Sequence, residues 1–341
     1  MHDFYYFRLK LLTPNRTLMK KIVFLIATLL LAVKAIAQQG VEIDPSLTES
    51  PVSVKTLSGR ISGSLVMPKN VSGKIPLVLI IADAGPTDRD GNNSKTGVAG
   101  NTYKLLANSL GLKGIATVRY DKRLVGQSET RTKESQLHFE DYGDDAVSLI
   151  IMLNDDPRFS KIILFGHGEG ALVSMMSSID EPVKGFISAE GTAETGEKIL
   201  FNEMKSKPKL LADEFKTIMD SLKKGKTTDN VDPTLYYIIR PGVQPFLMTW
   251  CRYDPLRAIR ALKIPILIIQ GTTDLQIPVA NGERLKKAKS EAGFLMVKDM
   301  NHILKEAPAD PDQNAATFGK PGLPLKPELV TGIVDFVNRI K

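Results

Sequence analysis

Lys161–Val173 reads KIILFGHGEGALV, and the architecture follows from how it divides. Lys161–Phe165 is short, apolar and rich in branched residues, which predicts a buried strand. Gly166-His167-Gly168-Glu169-Gly170 is a tight glycine turn, and Ala171–Ile179 opens a helix. Strand, turn and helix in this order are the setting in which G-x-S-x-G lifts a serine oxygen clear of a sheet. Here the middle position is Gly168, which has no side chain. Glycine reaches positive φ without the Cβ penalty, so the turn is expected to survive and even to gain stability.

Outward from the turn, strand and helix signals alternate. Val52–Leu57 and Arg60–Met67 predict a hairpin at Ser58-Gly59. Pro76–Ala82, Ile115–Tyr120, Val183–Ala189, Ile264–Gln270 and Phe294–Val297 predict further buried strands. Between them, Tyr103, Leu106, Ala107 and Leu110 lie at helical spacing, as do Tyr142, Ala146, Leu149, Ile150 and Leu153. Pro327–Ile340 closes the chain as an amphipathic helix. The pattern predicts an α/β fold with a doubly wound, mostly parallel sheet and its functional loops at the carboxyl ends of the strands. Alternation breaks at 191–255, where Leu211, Phe215, Ile218 and Leu222 mark helices. The expected division is therefore a core of 38–190 and 256–341 with an inserted helical cap at 191–255.

The chain has 341 residues and a formal charge of +7, but the first 37 residues hold six Lys/Arg and one Asp. The remainder is near +2, which argues against a nucleic-acid partner. Lys20-Lys21, the apolar run Ile22–Val33 and Ala35-Ile36-Ala37 have the three parts of a secretory signal. Cleavage after Ala37, export to the periplasm or the medium, and no stable membrane insertion thereafter are expected. Met19 precedes the lysines, so 1–18 is read as an over-extended start. Cys251 is the single cysteine, which excludes an internal disulfide, and no metal or cofactor site is expected.

Asp274 follows the strand Ile264–Gln270, and His302 follows Phe294–Val297, 28 residues later. An acid followed by a histidine on late loops is the chain order that accompanies a strand-turn-helix nucleophile. His138 and His167 are read as helix-start and packing residues. Ser174 lies within the helix after the turn and is expected to point away.

Four ordered segments, Gly166–Gly170, Gly85–Asn92 (GPTDRDGN), Tyr120–Ser128 (YDKRLVGQS) and Asn301-His302, resemble the α/β-hydrolase superfamily. The likeness is to its exported bacterial carboxylesterase-like branch, which carries G-H-S-E-G at the turn. The resemblance implies small acyl esters as ligands and a catalytic set at Gly168 (the nucleophile position), Asp274 and His302. By position, the oxyanion hole would be the backbone N–H groups of Ala84 and Glu169. Three departures stand out. Gly168 replaces serine, Asp83 replaces a glycine of the oxyanion loop, and Leu124 replaces the glycine after Tyr120–Arg123.

Hydrolysis is therefore expected to be abolished or strongly impaired, with a water filling the gap at residue 168. Alternatives are a non-catalytic ligand-binding protein, a serine-independent base catalyst using His302 and Asp274, and an aminopeptidase-like enzyme. The last would grip an amine with cap carboxylates such as Glu194, Glu197 and Glu203. Asp88-Arg89 and Asp121-Lys122-Arg123 are read as a salt-bridged scaffold, and Phe246, Leu247, Trp250 and Tyr253 as apolar lining or cap packing.

Overall fold

The computed structural model describes residues 41–341, of which Ile43–Lys341 form one compact unit. The expected signal segment lies outside the described residues. The main strands are β1 (Leu47–Thr56), β2 (Gly59–Pro68), β3 (Ile75–Ile81), β4 (Ala116–Tyr120), β5 (Phe159–His167), β6 (Val183–Ala189), β7 (Ile266–Gly271) and β8 (Gly293–Val297). They form a sheet in the order β1-β2-β4-β3-β5-β6-β7-β8. β1 and β4 pair antiparallel with β2, and from β4 to β8 every pairing is parallel.

The continuous apolar strands divide their side chains between the two faces, as a period of two requires. Leu77, Leu79 and Ile81 of β3 join Ile162 and Leu164 of β5 in one core. Val78, Ile80 and Ala82 join Ile163 and Phe165 in the other. The first core is covered by α2 (Glu140–Asn154), α3 (Glu169–Ser177), α7 (Pro255–Ala261) and α8 (Ala280–Ala288). The second is covered by α1 (Thr102–Gly111) and α9 (Pro327–Arg339). β8 departs from expectation. It is an edge strand with Phe294 and Leu295 only partly covered and Met296 43% exposed, because no strand lies beyond it.

Between β6 and α7 the chain makes a helical insertion containing α4 (Gly196–Met204), α5 (Lys209–Leu222) and α6 (Gln244–Trp250). Phe215, Ile218 and Leu222 close a separate apolar cluster with Leu200, Met204, Leu235, Ile239 and Leu247. Phe246 stacks on Trp250, and Tyr253 donates from its hydroxyl to Glu140 Oε1 at 3.0 Å. These aromatics therefore pack the insertion onto Phe139 and Tyr142 of the core. Among the described residues no helix is long and apolar enough to cross a membrane.

Two ion-pair groups brace the loops after β4. Arg123 Nε and Nη2 reach the two oxygens of Asp145 at 2.6 and 2.9 Å, and Nη1 reaches Asp141 at 3.1 Å. Arg89 donates to Asp121 at 2.7 Å. Asp88 is not part of this scaffold. Its carboxylate accepts from the backbone N–H groups of Asp90 and Asn92 and shapes the turn. Leu124 is half exposed and takes the left-handed conformation that suits a glycine (φ 64°).

Candidate active site

β3 and β5 pair in parallel with Ile81 opposite Gly166, so the loops that leave their carboxyl ends are neighbours. Gly168 has φ 53° and ψ −116°, the strained turn that aims position 168 out of the sheet. Gly168 N–H donates to Ala189 O at 3.0 Å, which pins the turn to β6. Ser174 Oγ bonds back to Gly170 O at 2.7 Å within α3 and takes no part.

The gap at residue 168 is filled by protein, not by water. A Cβ built on Gly168 would overlap the carboxylate of Asp83. Asp83 Oδ1 accepts from the Glu169 N–H at 3.0 Å, and Oδ2 accepts from His302 Nε2 at 3.0 Å. The two backbone groups expected to form the oxyanion hole both face this carboxylate. The Glu169 donor is engaged by Asp83, and the Ala84 N–H also stabilises this carboxylate. The rest of Asp83 is equally constrained. Its carbonyl accepts from Lys122 Nζ at 2.9 Å, and its N–H donates to Tyr103 Oη at 2.9 Å. Lys122 also pairs with Glu169 at 3.0 Å, so the salt-bridged scaffold expected here reaches the turn itself.

Asp274 and His302 are brought together: His302 Nδ1 donates to Asp274 Oδ2 at 2.8 Å. The other Asp274 oxygen accepts from the N–H groups of Gln276 and Ile277. Both ring nitrogens of His302 thus face carboxylate oxygens, which only accept, so the ring carries both protons. Burial works against that charge, but Asp83 and Asp274 outweigh it and hold the His302 pKa well above its ordinary value. For Asp83, burial is again outweighed, by the His302 charge and hydrogen bond, and its pKa is lowered. The site is therefore a carboxylate–imidazolium–carboxylate row.

Two further groups, unassigned from sequence, support the row. His167 Nε2–H donates to His302 O at 2.7 Å, and Nδ1 accepts from Tyr103 Oη at 2.8 Å. Tyr103 Oη in turn accepts from Asp83 N–H, so the hydroxyl proton is committed to His167. His167, expected only to pack, joins the loops of Asp83 and His302. Glu190 follows β6 with φ 49° and is fully buried. It accepts from Gly271 N–H at 2.7 Å, and burial and the Asp274 charge push its pKa well above the carboxylate range. Its other oxygen accepts from Gln270 Nε2 at 2.5 Å, so both oxygens are held by donors behind Asp274. A glutamate at a strand end reads as solvated, so nothing in the sequence marked it.

Burial lowers the His167 pKa from 6.5 to about 4. A histidine that stays neutral in the fold contributes its full stability above pH 6.5 and loses it as pH falls toward 4. The shift corresponds to roughly 3 kcal/mol. Denaturation measured between pH 7 and 4 should show a steeper loss in the native chain than in His167→Gln, which removes the titrating ring. His302 has the opposite sign: its contribution is complete below pH 6.5 and disappears only as pH rises through its raised pKa.

A cavity of about 420 Å³ opens in front of Asp83 and His302. Ala84, Pro86, Val98, Ile303 and Phe318 supply an apolar wall, and the Asp83 side chain is 23% exposed to it. Phe246, Leu247, Trp250 and Tyr253 do not line this cavity. Glu194, Glu197 and Glu203 do not line it either, being paired with Arg284 and Lys198, with Lys223 and with Lys207.

No family model matches the chain. It is similar to Esterase EstD of Thermotoga maritima, 25% identical over 270 residues that make up 77% of this chain and 61% of that protein. The chain thus spans less than two thirds of that relative's length. Among solved structures, Est1E from Butyrivibrio proteoclasticus superposes with a TM-score of 0.57 at 16% identity, covering 85% of this chain and 99% of that one. The Pyrococcus furiosus esterase PF2001 gives a TM-score of 0.55 at 15% identity, covering 86% and 92%. Strand order, the turn at Gly168 and these likenesses agree: the chain has the α/β-hydrolase fold.

Proposed function

We propose that this chain is an esterase-type α/β-hydrolase whose acyl-serine route is closed and whose pocket holds a small ester or acyl molecule. One observation carries the reading. The carboxylate of Asp83 occupies the space of a residue-168 side chain and takes the Glu169 N–H together with the His302 imidazolium. An oxyanion arriving there would meet a negative charge where it needs a donor. The kinship with Esterase EstD and the fold shared with Est1E support an ester-shaped ligand, and Est1E has been seen with ferulic acid bound. Loss of a serine nucleophile costs on the order of 10⁶ in kcat in a subtilisin, the worked case for this chemistry.

A fluorophosphonate probe should leave the native chain unlabelled, and short aryl esters should be cleaved no faster than by His302→Gln. Labelling of any serine at the cavity overturns the reading. We further propose that the chain is exported after cleavage behind Ala37, for which the amino-terminal sequence of the cellular protein is the measurement.

A further inference from the structure

We propose that Asp83 is itself a nucleophile, and that the pocket opens small apolar epoxides by forming and hydrolysing an ester on the Asp83 carboxylate. The inference rests on the serine route being closed, but it assigns the site an activity of its own. Three features of the site carry it: a carboxylate with one oxygen on a backbone donor, an imidazolium on the other oxygen, and an apolar cavity in front of both.

The electrophile follows from the nucleophile. A carboxylate attacking an ester carbonyl would have to expel a far more basic alkoxide, so it makes little headway. At a strained sp³ carbon the same attack relieves the ring and leaves a stable ester. An epoxide also needs a proton on its departing oxygen, and His302 holds one on Nε2, beside Asp83 Oδ2.

In the first step Asp83 Oδ2 forms a bond to an epoxide carbon, that carbon–oxygen bond breaks, and the ring oxygen takes the Nε2 proton of His302. The result is a β-hydroxyalkyl ester of Asp83 and a neutral imidazole. Esterification removes one of the two negative charges that hold the His302 pKa up, so the ring becomes a stronger acid in the first step and a free base on Nε2 for the second. In the second step His302 takes a proton from water as the hydroxide adds to Asp83 Cγ. The oxyanion forms on Oδ1, already on the Glu169 N–H at 3.0 Å. Collapse expels the diol oxygen, which takes the proton from His302. The carboxylic acid left on Asp83 then returns its own proton to the imidazole. Epoxide plus water gives a vicinal diol, and every proton is accounted for. Asp274 holds His302 in place throughout.

The test uses the full chain with styrene oxide and a short alkyl epoxide in ¹⁸O-water. After turnover, the peptide containing Asp83 should carry solvent oxygen, because water attacks Cγ and not the epoxide carbon. In His302→Gln the ring oxygen loses its proton donor and the attacking water its base, so both steps slow and the label should fall away. In Asp83→Asn the label should vanish. An Asp83 peptide left unlabelled by turnover with both epoxides overturns the proposal. The isotope readout needs only the native protein, so a poorly folding variant does not blunt it. Failure here with no phosphonate labelling removes the epoxide chemistry alone, whereas phosphonate labelling removes the closed-serine reading first.

Discussion

Gly168→Ser alone should leave the chain nearly inactive on aryl esters, while Asp83→Gly with Gly168→Ser should hydrolyse them and accept a phosphonate on the hydroxyl introduced at position 168. The single change supplies a hydroxyl but drives its Cβ into the Asp83 carboxylate. That carboxylate must then leave the Glu169 N–H and His302, at a cost of about 1.5–3 kcal/mol for each charge-assisted hydrogen bond lost. Serine at φ 53° adds roughly 1–3 kcal/mol of backbone strain. A displaced carboxylate would still sit beside the developing oxyanion. Removing it frees the Glu169 donor, and one such donor is worth roughly 10²–10³ in kcat. The double variant should therefore exceed the single by about that factor, with Asp274 and His302 already 2.8 Å apart to serve it. Equal rates in the two variants would show that Asp83 does not block the site.

Arg123→Ala should be among the most destabilising single changes in the core. The guanidinium is 4% exposed and spans both oxygens of Asp145, itself 1% exposed. Truncation strands a buried carboxylate, and breaking a buried pair from one side costs about 3–5 kcal/mol. Replacing both partners by apolar residues, Arg123→Met with Asp145→Leu, should recover most of that loss, since neither charge is then left alone. Denaturant midpoints of the three variants check it: a double variant no more stable than Arg123→Ala would mean that packing, not the stranded charge, sets the loss.

Much of the fold was legible because strand and helix periods leave separate marks. KIILF and PLVLIIA are apolar at nearly every position, which only a strand covered on both faces tolerates, and both became central strands. β8 misled because its apolar content resembles that of a central strand, while its edge position is a property of the whole sheet. At the site, Asp274 and His302 could be placed because a loop after a late strand has few destinations. Asp83 was noticed, but only as an imperfect oxyanion loop. Residues 83 and 168 are far apart in sequence, and reading one departure as the answer to the other requires β3 beside β5. Once the strands are paired, the bare position on one loop and the carboxylate on the next describe a single seat. Tyr103 and His167 stayed hidden for the same reason, since a buried tyrosine at helical spacing has the signature of ordinary core.

That shared seat makes the two positions interdependent. With any side chain at position 168 there is no room for the Asp83 carboxylate where it now sits. Substitutions at 83 and 168 should therefore be strongly non-additive, each best tolerated in the company of the other.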